Sequence, residues 1–336
     1  MKLLLLIFLF FQTIKINSFF ISYKSVVKYT PNYLVNELQN IPKKYNNKYI
    51  IAKIQNYNKL LRTNNCLPTF LLNLMGSWLA NPSIQLFLNR KFWLFSLITQ
   101  LTMMNSMVIN DIFDLQIDKI NNADRPLVRN TISVKEAKLL YSVIGCFIYF
   151  FTYKYLDNPF IKSWVYLTNF ILFIYTPVLK KIPFIKNITC ASIVSSTVVF
   201  SSSSITATAL YSLKNISLIY YTSFFLFLSS LYIELLLDIR DVIGDKKYGI
   251  ITVPNLFGED FTIKFLLSIF INFYIFSIKF LNNKRLFIGA SLSLFPFYKN
   301  LINLSLNNYS KMVIKDAMRE TTISLLICVV FILLNC

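Results

Sequence analysis

The chain alternates between long apolar stretches and short polar ones. Nine apolar stretches are about 20 residues long, which is the length that an α-helix needs to cross the roughly 30 Å hydrocarbon core of a bilayer. They lie near residues 67–88, 92–113, 138–156, 161–179, 188–210, 216–237, 262–280, 285–303 and 318–335. The pattern therefore predicts an all-α polytopic membrane bundle of about nine transmembrane helices.

The composition agrees with this prediction. Hydrophobic residues make up 55% of the 336 residues, and 32 of them are phenylalanines. The net charge of +19 would suggest nucleic-acid binding in a soluble protein. Here the basic residues lie at the ends of the apolar stretches, where they meet lipid headgroups and fix orientation. We therefore expect membrane lipids as partners and no nucleic acid.

Histidine is absent from the sequence. This excludes imidazole bases and histidine-based zinc or haem sites, so any chemistry must use carboxylates, Lys, Arg, Tyr and Asn. The five cysteines have no ligand spacing and fall mostly inside the apolar stretches, where they are interpreted as small apolar residues.

The N-terminal residues differ from the rest of the chain. Residues 1–20 have a basic start, a short apolar core and a small polar break, which is typical of a signal peptide or signal-like segment. Residues 21–62 are rich in Lys, Asn and Tyr with one acid, Glu37, and are predicted to be a basic leader or tail. A signal followed by a transit peptide would direct the chain to a plastid membrane. Otherwise an endomembrane or other organelle membrane is expected, and residues 63–336 form the membrane domain.

Eight of the 15 acidic residues fall in two short segments, each at the end of an apolar stretch. They are Asp111, Asp114, Asp118 and Asp124 in the first segment and Glu234, Asp238, Asp241 and Asp245 in the second. In both segments three aspartates follow the spacing i, i+3, i+7, which places them on one face of a helix. An ionised carboxylate inside hydrocarbon is unfavourable by about 2.5 to 3.5 kcal/mol, so these acids indicate a functional site.

Rows of like charges repel unless cations lie between them. Magnesium prefers oxygen ligands and is usually shared between one or two carboxylates and a substrate phosphate. The two aspartate rows therefore predict a magnesium site that holds a diphosphate. Asn110 and Glu234 each precede an aspartate by one helical turn and extend the rows toward the membrane interior.

Glycines and basic residues near the rows support a phosphate site. Three of the six glycines, Gly244, Gly249 and Gly258, lie in or just after the second row, where a loop needs backbone freedom. Arg125 after the first row and Lys246 after the second are suitable phosphate partners.

The topology permits the two rows to meet. Four predicted spans separate them, so both rows end on the same side of the membrane, as does the basic loop at 180–186. Most of the 34 Lys and Arg residues lie on this side. By the positive-inside tendency it is cytosolic, or the equivalent stroma or matrix.

Several motifs resemble those of the UbiA-type intramembrane prenyltransferases. Residues 110–127, NDIFDLQIDKINNADRPL, resemble the first aspartate motif of that family, and residues 238–245, DIRDVIGD, resemble the second. Residues 175–187, YTPVLKKIPFIKN, are similar to the family's loop between its fourth and fifth helices, and RTNN precedes the first span. The resemblance covers roughly residues 60–335. The segment RPLVRNTIS lacks the Ser-Gly that usually follows the Arg-Pro, which leaves the local turn geometry open.

The resemblance implies a nine-helix bundle with a central cavity open laterally to lipid. It implies transfer of an isoprenoid from a polyprenyl diphosphate donor to a lipophilic acceptor, with Mg²⁺ as cofactor and no obligate protein partner. The implied acceptor is a quinone precursor, a chlorophyllide or a glycerol phosphate. The leader favours a plastid acceptor, whereas the spelling of the two motifs favours a glycerol phosphate.

The resemblance also implies roles for individual residues. The implied metal ligands are Asn110, Asp111, Asp114, Asp118, Asp238, Asp241 and Asp245. The implied diphosphate-binding residues are Arg125, Lys180, Lys181, Lys246 and Asn187. The implied catalytic residues are Asp114 and Asp118 as proton acceptors, with Lys180 and Tyr175 acting on the diphosphate.

Two other classes of protein are compatible with the pattern. A polytopic transporter would bind a cation through intramembrane acids, but it would place them near the middle of spans. A catalytically silent membrane scaffold would keep the bundle without needing intact aspartate rows. A soluble-type isoprenoid chain synthase would also have aspartate-rich magnesium sites, but it would not need the nine apolar stretches. Its DDxxD pattern is also absent from this sequence.

We expect that Asp111→Ala or Asp238→Ala abolishes prenyl transfer and leaves the protein in the membrane, because each substitution removes an implied metal ligand. Transfer activity and membrane fractionation measure the two parts of this expectation. Unchanged transfer by either variant in magnesium-containing medium would contradict the implied roles.

Overall fold

The computed structural model describes residues 47–205, 215–281, 283–307 and 309–335. The signal-like segment and most of the predicted leader lie outside the described residues. Within those ranges all regular elements are helical. In chain order the α-helices are α1 (Asn47–Leu61), α2 (Cys66–Ala80), α3 (Arg90–Phe113), α4 (Leu115–Asn121), α5 (Val134–Tyr155), α6 (Pro159–Tyr175), α7 (Ile185–Ile205), α8 (Ile216–Lys247), α9 (Val253–Phe257), α10 (Glu259–Phe280), α11 (Lys284–Leu306) and α12 (Lys311–Asn335). Short 3-10 helices lie at Thr63–Asn65, Ile84–Leu88 and Leu179–Lys181.

Each of the nine predicted spans coincides with one helix of the described chain. These helices are α2, α3, α5, α6, α7, α8, α10, α11 and α12. Four of them, α3, α7, α8 and α10, are long and apolar enough by length and composition to cross a membrane. The prediction of an all-α polytopic bundle is confirmed.

The helix bounds differ from the prediction in two places. α2 ends at Ala80, whereas the apolar stretch continues to residue 88. Pro82 follows, and because proline lacks a backbone N–H and restricts the residue before it, the helix stops. α8 continues ten residues beyond the predicted end at 237 and carries the second acidic row on one unbroken helix of 32 residues.

The chain divides into two compact units, Met1–Gln55 and Asn56–Cys336. In the second unit, Leu60 near the end of α1 is fully buried and packs in a cluster with Val108 and Leu127. The last residues assigned to the leader thus contribute to an apolar cluster of the second unit.

Side-chain caps fix where several helices begin. Ser133 and Glu136 form a capping box at the start of α5, in which each side chain accepts a hydrogen bond from the other residue's backbone N–H. Asn89, Asn158 and Asn283 cap α3, α6 and α11 by accepting a bond from a backbone N–H of the first turn. The polar residues between apolar stretches thus end one helix and start the next.

Two apolar clusters hold the long helices together. The larger joins α2, α7 and α8 with α10, α11 and α12, and the smaller joins α3, α5 and α6 through Phe200 of α7. α7 contributes to both clusters and packs closely on α2. A Cβ atom added at Gly76 of α2 would lie 2.3 Å from the Val198 carbonyl oxygen and 2.0 Å from Ser201 Oγ.

We expect Gly76→Ala to destabilise the bundle by about 1–3 kcal/mol, because the added carbon overlaps the α7 backbone and forces the two helices apart. The matched control is Gly145→Ala on α5, where the added Cβ would meet only Asn105 Nδ2 at 3.7 Å. The control should be neutral or stabilising, since alanine favours a helix over glycine. Thermal unfolding of the purified proteins in detergent measures both effects, and equal midpoints would contradict the close packing of α2 on α7.

Candidate active site

One cavity of about 360 Å³ lies between α3, α6 and α7, with α8 along one wall. Its size is in the range of small-molecule binding sites. At one end, six carboxylates and five basic side chains of the described residues line it. The other end is lined mainly by apolar and threonine side chains. The two acidic rows and the basic loop therefore meet at the same polar end, although four spans separate the rows in the sequence.

The first acidic row crosses the junction between α3 and α4. Asp114 is the junction residue, and the helical hydrogen bonds continue through it, from Asp114 N to Asn110 O (2.9 Å) and from Asp118 N to Asp114 O (2.8 Å). Asn110, Asp114 and Asp118 line the cavity. Asp111 does not line it, although the spacing predicts that it shares the face of Asp114 and Asp118. The cavity face follows i, i+4, i+8, so Asp111 lies on its flank.

The second row lies on α8. Glu234, Asp238, Asp241 and Asp245 all line the cavity, and Asp238 and Asp245 are buried. Because α8 is unbroken here, successive acids are three or four residues apart on one face. The predicted face of this row is thus observed in full, with Glu234 as its innermost carboxylate.

Lys180, which lies between α6 and α7, and Lys186, in the first turn of α7, each bind one acid, the first in the first row and the second in the second row. Lys180 Nζ donates to Asp114 Oδ2 at 2.5 Å, and Lys186 Nζ donates to Asp238 Oδ1 at 2.5 Å. The Asn187 amide donates to the other oxygen of Asp238 at 3.0 Å. Since Lys186 and Asp238 are both buried, each charge depends on the other for compensation.

Three arginines complete the charged end. Arg240 donates two hydrogen bonds to Asp241, at 2.8 and 2.6 Å. Arg62 Nη2 donates to Asp111 at 2.9 Å, and Arg125 lies 3.9 Å from the other oxygen of Asp111. Asp111 therefore holds two arginines at the cavity edge.

The backbone at Arg62 has a strained conformation that directs the side chain to Asp111. Its φ of 48° and ψ of 51° lie in the left-handed region, which a residue with a side chain occupies at a cost of about 1 kcal/mol or more. This conformation follows α1 directly and precedes α2, and it points the guanidinium at the site.

A glycine sets the approach of the two rows. A Cβ atom added at Gly244 of α8 would lie 2.0 Å from the Asn121 Oδ1 atom of α4. Asn121 and Asn122 follow the first row and line the cavity, and the Asn122 amide donates to Asp118 at 2.8 Å. The absence of a side chain at Gly244 lets α4 pack directly against α8.

The charged end is poorly solvated at α4 and the loop after it. Burial raises the pKa of the Asp118 carboxyl, and the hydrogen bond from Asn122 and the charge of Arg125 only partly offset this effect. Burial also lowers the pKa of Arg125, and the neighbouring charge of Arg62 acts in the same direction. In such surroundings an added cation or anion interacts strongly with these groups.

The structure does not gather all the predicted residues. Tyr175, Lys180 and Arg125 line the cavity, and Asn187 lies behind it on Asp238. Lys181 and Lys246 are exposed and do not line it. Their positions therefore give no support to the predicted diphosphate contact. Each is adjacent in sequence to a residue that lines the cavity, Lys180 or Asp245, and itself faces outward.

Lys186, Arg62 and Arg240 line the site without having been given a role in it from the sequence, whereas Glu234 was included only as part of the second acidic row. One signal was available for Lys186, which is the only charged residue of α7. Arg62 and Arg240 carry no such signal. Their positions depend on a left-handed residue and on the packing of α8.

The donor set fits magnesium shared with a substrate. Carboxylate and amide oxygens on two facing walls are the ligands that Mg²⁺ prefers. No three carboxylates of the described residues converge as a complete ligand set. Several are instead bound to the protein's own cations, as Asp114 is to Lys180 and Asp238 is to Lys186. A metal here would complete its shell with phosphate oxygens and water.

Fold and site together define a membrane-embedded helical enzyme that handles an amphiphilic phosphate. Residues 67–315 match the model of the UbiA prenyltransferase family, and the chain belongs to this family. It is an integral-membrane, multi-pass prenyltransferase, so the transporter and scaffold alternatives are set aside.

Among the relatives of this chain are digeranylgeranylglyceryl phosphate synthases. The digeranylgeranylglyceryl phosphate synthase of Pyrococcus furiosus is 28% identical over 212 residues, which are 62% of this chain and 70% of that protein. The enzyme of the same name from Thermococcus kodakarensis is 30% identical over 205 residues, which are 60% and 68% of the two chains.

Two solved structures share the fold. A UbiA homolog from Aeropyrum pernix K1 in its apo form matches with a TM-score of 0.65 at 17% identity, covering 81% of this chain and 98% of that one. A UbiA homolog from Archaeoglobus fulgidus, bound to DMAPP and Mg²⁺, matches with a TM-score of 0.54 at 18% identity, covering 82% and 98%. At these identities the likeness shows the fold alone.

We expect Lys186→Met to lower prenyl transfer by roughly 10²- to 10³-fold, because it removes a buried cation from the charged end of the cavity. The matched control is Lys181→Met, five residues away and exposed, which should change transfer by no more than about twofold. Initial rates at saturating substrates, with detergent gel filtration as a check on folding, distinguish the two variants. Equal losses in both would show that the position of Lys186 in the cavity is unimportant.

Proposed function

We propose that this chain transfers a prenyl group from a polyprenyl diphosphate to the hydroxyl oxygen of a glycerol-phosphate-type lipid acceptor, with Mg²⁺. The observation that carries the proposal is the cavity itself. It joins two acidic rows and five basic side chains at one end to an apolar interior at the other. A diphosphate with a hydrocarbon tail has the same division of polarity.

Six residues hold Mg²⁺ in this proposal. They are Asn110, Asp114, Asp118, Asp238, Asp241 and Asp245, which line the facing walls. Bound Mg²⁺ would neutralise the negative charge that grows on the departing diphosphate. Asp111 lies outside the cavity wall, so we assign it to positioning Arg62 and Arg125.

Basic side chains bind the diphosphate. Lys180 approaches from the segment between α6 and α7, Lys186 from the first turn of α7, and Arg125 from the loop after the first row. Tyr175 lies on the same wall as a hydrogen-bond donor. Together they stabilise the leaving group more strongly as it gains charge, which lowers the barrier to leaving.

The reaction then proceeds by exchange of one C–O bond for another. The bond between the allylic carbon and the diphosphate breaks, and its electron pair leaves with the diphosphate. The acceptor oxygen forms a new bond to the same carbon, and its proton passes to the carboxylate of Asp114 or Asp118. The apolar walls exclude water, which would otherwise capture the carbocation.

The relatives and the residues of the two aspartate motifs favour the glycerol-phosphate acceptor. The relatives from Pyrococcus furiosus and Thermococcus kodakarensis are digeranylgeranylglyceryl phosphate synthases. A chlorophyllide or quinone-precursor acceptor remains the second candidate, and it would require that residues 1–62 direct the chain to a plastid. Fusion of these residues to a fluorescent protein tests the plastid location.

Purified protein with magnesium, labelled geranylgeranyl diphosphate and a panel of acceptors tests the function. We expect product on a prenylated glycerol phosphate and none after chelation of divalent ions, with activity restored by added Mg²⁺. Asp124→Ala is a suitable control, because this acid is exposed, follows the first row and lies outside the cavity. Product only on chlorophyllide or a quinone precursor would overturn the acceptor, and transfer without divalent ions would overturn the role of Mg²⁺.

A further inference from the structure

Three arginines from different parts of the chain gather at the charged end of the cavity. Arg62 precedes α2, Arg125 follows α4 and Arg240 lies on α8, and all three line the cavity. Burial lowers the pKa of Arg125, and the charges of Arg62 and Arg240 lower it further. The three guanidinium groups are therefore close enough to repel one another, and an anion among them relieves this repulsion.

The carboxylates of the protein leave many donors of these arginines unused. Within the part of the chain that the structure describes, Arg62 donates from Nη2 alone, to Asp111 at 2.9 Å. Arg240 donates from Nε and Nη2 to Asp241, and its Nη1 makes no hydrogen bond to any described residue. Arg125 makes none with the described residues, since two nearby carboxylate oxygens lie 3.9 and 4.0 Å away. A guanidinium group has five N–H donors, so each arginine keeps donors for a further anion.

The exposure and position of the arginines fit the headgroup of a lipid. The side chains of Arg62, Arg125 and Arg240 are 27%, 23% and 30% exposed, so they are partly shielded from water and still within reach of a ligand. In such a position a guanidinium attracts an anion more strongly than it does in water. Arg62 precedes one apolar stretch and Arg240 follows another, so we expect both at the level of lipid phosphates.

The proposed reaction brings two anionic groups to this end of the cavity. One is the diphosphate of the donor, and the other is the phosphate of the acceptor. When the hydroxyl and the phosphate of a glycerol phosphate lie on adjacent carbons, four bonds separate the hydroxyl oxygen from the phosphorus, which is about 5 Å. Since the hydroxyl oxygen must reach the carbon that bears the diphosphate, the second anion lies beside the first and requires cations of its own.

We propose that Arg62 and Arg240 bind the phosphate group of the lipid acceptor, next to the diphosphate of the donor. This inference rests on the proposed function, because it takes a glycerol-phosphate lipid as the acceptor. Guanidinium groups bind two phosphate oxygens at once through parallel hydrogen bonds, which an ammonium group does not. The left-handed backbone of Arg62 is consistent with this role, since strained residues persist where a function uses them.

The test compares two acceptors that differ only in the phosphate: a prenylated glycerol phosphate and the same prenylated glycerol without phosphate. Initial rates of the purified protein give kcat/KM for each, and the ratio of the two isolates the contribution of the phosphate. We expect Arg62→Gln and Arg240→Gln each to lower this ratio by about tenfold or more, because each removes charged hydrogen bonds to the phosphate. Arg129→Gln is the matched control, since Arg129 is 54% exposed, lies outside the cavity and should leave the ratio unchanged.

Two variants on different elements guard against misfolding of either one. Arg62→Gln also removes a partner of the buried Asp111, whereas Arg240→Gln leaves that ion pair intact. In both variants the KM for the acceptor should rise more than the KM for the donor, which general damage to the fold would not produce. Equal losses with the two acceptors in both variants would overturn the proposal.

Bilayer lipids and free phosphate carry the same chemical group, so phosphatidic acid and inorganic phosphate are added as competitors. We expect neither to inhibit transfer appreciably at a concentration equal to the KM of the acceptor. Half-inhibition by phosphatidic acid at that concentration would assign the arginines to a bilayer lipid, and half-inhibition by inorganic phosphate would assign them to the free ion. Either result would overturn the assignment to the acceptor.

Failure of this site and failure of the proposed function give different results. If the wild type forms no product on either glycerol acceptor, the proposed function fails, and thermal stabilisation by the same two lipids reports the site without turnover. Greater stabilisation by the phosphorylated lipid, lost in Arg62→Gln and Arg240→Gln but kept in Arg129→Gln, would support the arginine site. Equal stabilisation of the wild type by the two lipids would overturn it.

Discussion

The structure depends on basic side chains that compensate the charge of its carboxylates, which an apolar bundle would otherwise exclude. An acid removed from water is costly unless a charge or hydrogen bond compensates it. The protein supplies this compensation from several elements. Arg62 comes from before α2, Lys180 from between α6 and α7, Lys186 from the first turn of α7, and Arg240 from α8 itself. Elements distant in sequence are thus joined by charge at one end and by apolar packing along the rest of their length.

Much of this architecture could be predicted from the sequence because lipid imposes a simple requirement. A span must be apolar for about 20 residues, so each of the nine stretches marks a helix of the described chain. Acids that interrupt this pattern are conspicuous for the same reason, and Asp114, Asp118 and Asp238 were found in this way. The predicted bounds failed where the cause was local, as at Pro82, or where polar residues continued a helix, as in α8.

The details of the site were less accessible, because they depend on a few degrees of helix rotation and on tertiary contacts. Asp111 and Asn110 are adjacent, yet Asn110 faces the cavity and Asp111 faces two arginines. Lys180 points inward and Lys181 outward for the same reason. Spacing alone gives several equivalent faces on a helix, and only the packing of neighbouring helices selects one. The side chain of Arg62 reaches the site because its backbone is in the left-handed conformation, which no sequence pattern predicted.

The length of α8 has a consequence for how a ligand reaches the site. Its 32 residues extend about 48 Å, which exceeds the roughly 30 Å hydrocarbon thickness of a bilayer. Asp238, Asp241 and Asp245 occupy the final third of this helix, beyond the apolar stretch 216–237, so we expect them near headgroup depth and not at the bilayer midplane. For an amphiphile already embedded in the leaflet, lateral entry would keep its polar group at its usual level. Entry of this kind requires neither extraction into water nor passage of charge through oil.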